Sequence, residues 1–158
     1  MTKQMPLTQG KFALVDDDVF EWASKFKWYA HRMGRCFYAG RKIGKYPHQK
    51  SSLLHREIMN APDGVTVDHI SGDGLDNRRE NMRLASRIEN NRNRRLNANS
   101  TSGFKGAYWH KASGKWTAQI SIRGKRIHLG LFATPEQAAL AYDEAAIKHF
   151  GEFAKANF

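Results

Sequence analysis

Cysteine is almost absent from this 158-residue chain, which contains a single one, Cys36. One cysteine cannot form an intramolecular disulfide, and a zinc site built from pairs of cysteines is excluded as well. Long apolar runs are also missing, because no stretch approaches the roughly 20 residues that a membrane span needs. The N-terminal segment MTKQMPLTQG lacks the apolar core of a secretory signal. We therefore expect a cytoplasmic protein.

Negative charge is scarce relative to positive charge. The chain has 15 Asp and Glu against 26 Lys and Arg, a formal net charge of +11. Such an excess favours nucleic acid as the partner, since each phosphate that Lys or Arg neutralises releases counterions. An anionic membrane, or solubility alone, is the alternative explanation of the charge. The sequence shows no amphipathic basic helix, so we expect no membrane partner. We also expect no small-molecule cofactor, and the oligomeric state stays open.

The hydrophobic pattern predicts an α+β protein with two domains. The small polar segment NANSTSG at 97–103 is predicted to be a linker between domains at 1–96 and 104–158. In the first domain the pattern predicts a small β-rich unit with strands at 11–15, 28–32, 36–42 and 49–54 and helices near 19–25 and 54–59. Met33-Gly34-Arg35 predicts a hairpin turn between the second and third of these strands. In the second domain it predicts a three-stranded antiparallel sheet packed on one helix, with strands at 106–110, 116–122 and 126–132. That helix begins at Thr134-Pro135-Glu136 and ends at Gly151.

The stretch Val67–Arg95 combines short strands with polar side chains. We expect a strand at 65–69 that ends with Asp68 and His69, a loop rich in Gly, Asp and Asn, and a second strand at 81–84. Ser86 and Glu89 form a capping box for a helix that reaches about Arg95. The loop residues GDGLDN do not form a calcium loop, because their acids do not alternate before a glycine.

Phosphodiester hydrolysis needs a base, a cation and a scaffold that fixes both. His69 can accept a proton at cellular pH, since a free imidazole has a pKa near ~6.5. Asp68 supplies a carboxylate and Asn90 an amide oxygen, which suit a hard cation such as Mg²⁺ or Mn²⁺. We expect one divalent cation per site, with phosphate and water completing its ligands.

This stretch resembles the HNH (ββα-metal) nucleases of the homing and phage type. The resemblance rests on Asp68-His69, Asp76-Asn77-Arg78, Asn81-Met82-Arg83-Leu84 and Asn90-Asn91-Arg92-Asn93. It implies a ββα-metal core at about 65–95, with His69 as general base, Asp68 and Asn90 as metal ligands, and Asn81 bracing the loop and the base. Asn91 and Asn93 are alternatives to Asn90. The nearby arginines are either phosphate clamps or a solvated face: Arg78, Arg79, Arg92, Arg94 and Arg95.

Residues 103–158 resemble the plant ethylene-response-factor (APETALA-type) DNA-binding domain. The matching residues include Phe104-Lys105-Gly106, Gly114-Lys115-Trp116, Thr134-Pro135-Glu136, Ala141-Tyr142-Asp143 and Asn157-Phe158. The resemblance implies a sheet that enters the major groove of double-stranded DNA through Lys105, Tyr108, His110, Gln119, Ser121, Arg126 and His128. Tyr108, His110 and Ser121 stand where plant members often have Arg, and His128 where they have Trp. The plant target sequence is therefore not implied.

Two functions from different classes follow. The first is a metal-dependent DNA endonuclease of the homing type, as found in phages, which nicks DNA as a monomer or cuts both strands as a dimer. The second is a catalytically silent DNA-binding regulator. Three aromatic side chains of the first domain have open roles: Tyr38 and Tyr46 as candidates for stacking on bases, and His55 as a core residue or a phosphate contact.

Overall fold

The computed structural model describes residues 1–93, 96 and 100–158. The chain divides into two compact units, Met1–Asn90 and Asn91–Phe158. The described residues form four α-helices and ten strands, arranged in four small antiparallel sheets. The α+β class is therefore confirmed. Residues 97–99 of the predicted linker lie outside the described residues, and the linker stays a prediction.

The first unit begins with a two-stranded sheet that the sequence did not predict in full. Strand β1 (Thr2–Pro6) pairs antiparallel with β2 (Phe12–Asp16), and α1 (Asp17–Ala23) follows directly. The β1 sequence TKQMP has one buried residue, Met5, and no apolar alternation. The extended conformation of β1 therefore depends on its pairing with β2. The apolar pattern of β2, by contrast, predicts a strand by itself.

A three-stranded sheet carries the basic central part of this unit. Its strands are β3 (Tyr29–Met33), β4 (Cys36–Ile43) and β5 (Lys50–Leu53), in the order β3-β4-β5, and α2 (Leu54–Ile58) follows β5. Met33 pairs with Cys36, so the predicted hairpin turns at Gly34-Arg35. The buried core of the unit lies between these elements and contains Met5, Ala13, Val15, Val19, Ala23, Trp28, Ala39 and Leu54.

The central stretch forms an antiparallel pair of strands followed by a helix. These elements are β6 (Thr66–His69), β7 (Met82–Ala85) and α3 (Arg87–Arg92). The capping box is confirmed: the Glu89 carboxylate accepts from the Ser86 N–H at 2.8 Å, and the Glu89 N–H donates to the Ser86 hydroxyl at 3.3 Å. The helix is shorter than predicted, since α3 ends at Arg92. Arg94 and Arg95 lie outside the described residues.

The second unit contains a three-stranded antiparallel sheet packed on one helix, as predicted. Its elements are β8 (Ala107–His110), β9 (Lys115–Ile122), β10 (Lys125–Phe132) and α4 (Pro135–Phe150), with strand order β10-β9-β8. Small residues let the helix approach the sheet, because Ala107, Ala118 and Ala138 form one buried cluster. The Thr134 hydroxyl caps α4 by accepting from the Gln137 N–H at 3.3 Å.

A buried carboxylate on α4 holds the C-terminal tail of this unit. Asp143 is 6% exposed and accepts from the Asn157 N–H and side-chain amide, at 2.8–2.9 Å, and from the Phe158 N–H at 3.1 Å. The Asn157 side chain also bonds both backbone groups of Lys105. Asp143 therefore ties the tail and the start of the sheet to the helix. No helix in the described part of the chain is both long and apolar enough to cross a membrane.

Candidate active site and nucleic-acid interface

Asp68 and His69 lie at the end of β6 and are almost fully buried, at 2% and 6% exposure. Arg83 stands directly opposite Asp68 on β7. Its Nε and Nη2 both donate to Asp68 Oδ2, at 2.9 and 2.8 Å. Directly opposed residues of antiparallel strands share a face, so this ion pair is built into the register of the two strands. The sequence pattern alone does not assign Arg83 this role.

The chemistry of the two predicted ligands, Asp68 and Asn90, fits a hard cation with few protein ligands. Asp68 brings carboxylate oxygens, and Asn90, on α3 of the same unit, brings an amide oxygen. Mg²⁺ is commonly held by one or two protein oxygens and keeps several waters. Among the described residues, no group of three or more His, Cys, Asp and Glu could hold a metal ion. The choice of Asn90 over Asn91 and Asn93, and the ligand role of Asp68, stay predictions.

His69 is oriented by Asn77, a residue that the sequence placed only in a turn. Asn77 is fully buried, and its Nδ2 donates to the Leu75 carbonyl at 3.1 Å, which fixes the orientation of the amide. Its Oδ1 then faces His69 Nε2 at 3.3 Å. Because an amide oxygen only accepts, this contact requires the hydrogen on Nε2. The lone pair of the neutral ring is then on Nδ1.

Asn81 connects the two ends of the loop between β6 and β7. Its Oδ1 accepts from the Ser71 N–H at 2.9 Å, and its Nδ2 donates to the Asp76 carbonyl at 2.8 Å. Its own carbonyl accepts from the Ile70 N–H at 2.8 Å. These bonds brace the loop, and the wider role that the HNH resemblance implies, bracing of the base as well, stays a prediction. The same loop is tied to β2, because Leu14 donates to Leu75 O and accepts from the Asn77 N–H, both at 2.8 Å.

Tyr38 and His55 form the aromatic surroundings of His69. The His55 ring lies 5.1 Å from the His69 ring at 90°, and the Tyr38 ring lies 5.9 Å from His69 at 54°. Burial lowers the pKa of His55 to about 3, so its ring is neutral at neutral pH. Burial also lowers the pKa of His69, against the opposite effects of Asn77 and Asp68. His55 is thus a buried neighbour of the candidate base, which only the long-range contacts of the fold reveal.

The arginines of the loop are paired with acids. Arg78 binds Asp76 at 2.7 Å and also pairs with Glu80, and Arg79 binds Asp18 at 2.8 Å. In the second unit the Arg92 guanidinium lies 4.3 Å from the centre of the Phe150 ring. That these arginines clamp phosphates stays a prediction, and the same holds for Arg94 and Arg95, which lie outside the described residues.

The sheet of the second unit has one face covered by α4 and one open face. Ala118 and Ile120 point to the helix, so Gln119 and Ser121 point to the other face. The register pairs Arg126 with Ser121 and His128 with Gln119, and the outward residues of β8 are Tyr108 and His110. An open concavity of ≈ 350 Å³ is lined by Tyr108, Gln119, Ile120, Ser121 and Arg126. Six of the seven predicted DNA contacts therefore share one face.

The seventh, Lys105, has other partners. Its Nζ donates to the carbonyls of Arg92 and Lys155, at 2.9 and 3.2 Å. Burial, and to a lesser extent Lys155, lowers its pKa to about 8. On the open face, His128 Nδ1 lies 3.0 Å from the Thr117 hydroxyl, which holds the imidazole in place. Base contact by any of these residues stays a prediction.

Comparison with known proteins places this site in a family. Residues 60–92, which contain β6, the loop, β7 and α3, match the model of the HNH endonuclease domain. The chain is 32% identical over 151 residues to an uncharacterised HNH endonuclease of Acanthamoeba polyphaga mimivirus, covering 94% of this chain and 76% of that one. The chain belongs to the HNH endonuclease family. Protein 3.8 of Escherichia phage T7 is 33% identical over 111 residues, which span 67% of this chain and 91% of the phage protein.

This HNH family member also carries an AP2 domain, whose model matches residues 102–152. An ethylene-responsive transcription factor of Arabidopsis thaliana is 35% identical over 99 residues, 60% of each chain. The predicted combination of the two domain types is thereby confirmed. An HNH domain supports nuclease activity and an AP2 domain supports DNA binding, so together they support DNA as the partner of this HNH protein.

Proposed function

We propose that this protein is a metal-dependent endonuclease that hydrolyses phosphodiester bonds of double-stranded DNA. The observation that carries the proposal is the buried His69 at the end of β6, with its Nε2 facing Asn77 Oδ1 inside the matched HNH segment. A general base needs a lone pair in a fixed position. Because the contact with Asn77 requires the hydrogen on Nε2, the lone pair of the neutral ring is on Nδ1. We further propose that β6, β7 and α3 form a ββα-metal fold.

In this mechanism His69 Nδ1 takes a proton from the attacking water, while Asn77 keeps the protonated ring oriented by accepting from Nε2. Asp68 and Asn90 would hold one Mg²⁺ or Mn²⁺ ion, which would stabilise the negative charge that develops on the phosphate and the leaving oxygen. Asn81 keeps the loop closed around the base through its bonds to Ser71 and Asp76. The ion pair with Arg83 holds the Asp68 carboxylate in position.

The AP2 domain binds the DNA in this proposal, and its open sheet face enters the major groove. A two- or three-stranded sheet fits that groove as a helix does. One catalytic centre per chain acts on one strand, so a monomer nicks, and a double-strand cut requires a dimer or two successive cuts. The viral and phage relatives support a homing-like enzyme that acts in the cytoplasm of a bacterial or phage-infected cell.

A second candidate function is a catalytically silent DNA-binding regulator. The ion pair between Asp68 and Arg83 favours it, because a predicted metal ligand already has a cationic partner at 2.8 Å. The match to a transcription factor across the AP2 domain is compatible with the same function.

Incubation with supercoiled plasmid separates the two candidates. We expect the purified protein to relax the plasmid with Mg²⁺ or Mn²⁺, and we expect a chelator to stop the reaction. His69→Ala should abolish cleavage and retain DNA binding, whereas His48→Ala, at an exposed histidine outside the site, should cleave like the parent. Equal cleavage by His69→Ala would contradict the proposed base. A parent protein that leaves the plasmid intact with both metals would favour the regulator.

A further inference from the structure

His55 occupies a position that the proposed mechanism does not use. It is the second residue of the short helix α2 and is 6% exposed. Its ring is perpendicular to that of His69, at 5.1 Å, and edge-on to Tyr38, at 5.4 Å and 66°. Tyr38 also contacts His69, so three aromatic rings from β4, α2 and β6 meet at the candidate base.

The contribution of His55 to this cluster comes through its ring. Its Nδ1 is buried and has no hydrogen-bond partner among the described residues. A buried polar atom without a partner is unfavourable by about 1–3 kcal/mol, so this nitrogen does not stabilise the cluster. What the side chain offers His69 is an aromatic surface held at a right angle.

Such a surface matters because the contact with Asn77 by itself defines the orientation of the imidazole only loosely. The χ2 torsion of histidine is broad and roughly two-fold, and a half-turn puts carbon where Nδ1 was. The hydrogen bond between His69 Nε2 and Asn77 Oδ1 is long, at 3.3 Å, so it restrains this torsion only weakly. A ring packed at 90° on the imidazole opposes its rotation and its tilt.

The loop side of the cluster is equally tight. A Cβ at Gly74 would lie 2.5 Å from the Tyr38 ring and from the Phe37 carbonyl oxygen, so the loop backbone packs directly on Tyr38. Tyr38 is therefore held between the loop and His55, and the ring contacts of His69 cannot relax independently of each other.

We propose that His55 is a positioning residue that holds the His69 imidazole in the orientation of a general base. It acts through His69 and touches no reacting atom. The inference rests on the proposed nuclease function, and its consequence is specific: removal of the ring should slow the chemical step and leave DNA binding intact.

Two variants at His55 and one control test this role. His55→Leu fills most of the space without an aromatic ring, and His55→Phe keeps a ring without the unpartnered nitrogen. His48→Leu is the control, because His48 is an exposed histidine outside the three-ring cluster. Single-turnover cleavage of labelled DNA gives the rate, and titration of the same DNA without metal gives the affinity.

We expect His55→Leu to cleave about 10- to 100-fold more slowly, since a misplacement of about 1 Å can lower a rate by 10². Its Kd for DNA should stay within two-fold of the parent. His55→Phe should recover most of the rate, and His48→Leu should keep all of it. A parental rate in His55→Leu, or a rate in His55→Phe as low as in His55→Leu, would overturn the proposal.

A second measurement does not depend on activity. The ring-proton NMR signals of His69 in the metal-free protein should shift and broaden in His55→Leu and stay unchanged in His48→Leu. Unchanged His69 signals in His55→Leu would also overturn the proposal. These outcomes can be distinguished from failure of the proposed nuclease function. In that case the parent protein would leave DNA intact, and the NMR signals of His69 would still shift in His55→Leu.

Discussion

At the scale of single residues, the loop that carries the candidate site is held by charge pairs. Asp76 is 7% exposed, and both its carboxylate oxygens accept from Arg78, at 2.8 and 2.7 Å. Its backbone carbonyl accepts from Asn81. The Arg78 guanidinium holds the pKa of Asp76 below its usual range. A carboxylate with a lowered pKa stabilises the folded state only while it is ionised.

This sign makes the stability of the loop depend on pH. The Asp76 contribution is fully present above the unfolded-state pKa of about 3.9, and it is lost as the pH falls through the lower folded-state value. We therefore expect Asp76→Asn to have a lower free energy of unfolding than the parent at pH 7. The difference should shrink below about pH 4, because the parent loses the same charge on protonation.

Urea unfolding of both proteins at several pH values measures this difference. Asp63→Asn is the control, since Asp63 is exposed in a turn outside the loop. A gap between Asp76→Asn and the parent that is constant from pH 7 to the acid limit would contradict the assigned role of the carboxylate.

At the scale of elements, the packing of α4 on the sheet depends on one close approach. Gly106 has a φ of +76°, and a Cβ there would lie 1.9 Å from the Tyr142 ring of α4. Gly103 has nearly the same φ, +75°, with no atom within 4 Å of its Cβ position. The two glycines therefore share the backbone strain that any L-residue would suffer and differ only in contact with the helix.

We expect Gly103→Ala to lose about 1–2 kcal/mol of unfolding free energy from the left-handed backbone alone. Gly106→Ala should lose about 1–3 kcal/mol more, since the start of β8 must move away from Tyr142. Chemical denaturation of the full chain measures both values. If both variants lost the same free energy of unfolding, the contact with α4 would not be the reason why position 106 requires glycine.

The elements that the sequence predicted are those with local signals. The Gly34-Arg35 turn, the Ser86–Glu89 capping box and the Thr134-Pro135 helix start are set by a few consecutive residues, and the structure confirms them. Strand β1 was missed because its conformation depends on pairing with β2. Helix α3 was predicted too long because a run of polar residues contains no clear stop signal.

The candidate site divides in the same way. Asp68, His69 and Asn81 follow from a pattern within one stretch of chain. Their neighbours Tyr38 and His55 come from β4 and α2, and the backbone of Leu14 in β2 holds the loop. No local sequence pattern specifies these long-range contacts. Arg83 and Asn77 belong to the same stretch, but the pattern does not give their roles. The role of Arg83 depends on the register of β6 and β7, and that of Asn77 depends on the orientation of its buried amide.

At the scale of the whole molecule, the two units have different expected tasks. The first contains the candidate catalytic residues, and the second contains the open face with Gln119 and Arg126. If the AP2 sheet binds DNA and the HNH unit cleaves it, variants of each unit should change different constants. The net charge of +11 predicts that binding by the full chain weakens steeply with salt.

The last prediction concerns the double variant Gln119→Ala with Arg126→Ala in the full chain. Loss of two base-edge contacts should raise the Kd for DNA roughly 30-fold or more, because each good contact is worth about 1–3 kcal/mol. The single-turnover rate at saturating DNA should stay near the parental value, the reverse of the pattern expected for His69→Ala. Lys148→Ala is the control, since it removes a positive charge from an exposed position on α4. A lower saturated rate with unchanged affinity in the double variant would assign the sheet face to the chemistry, contrary to the proposed division between the units.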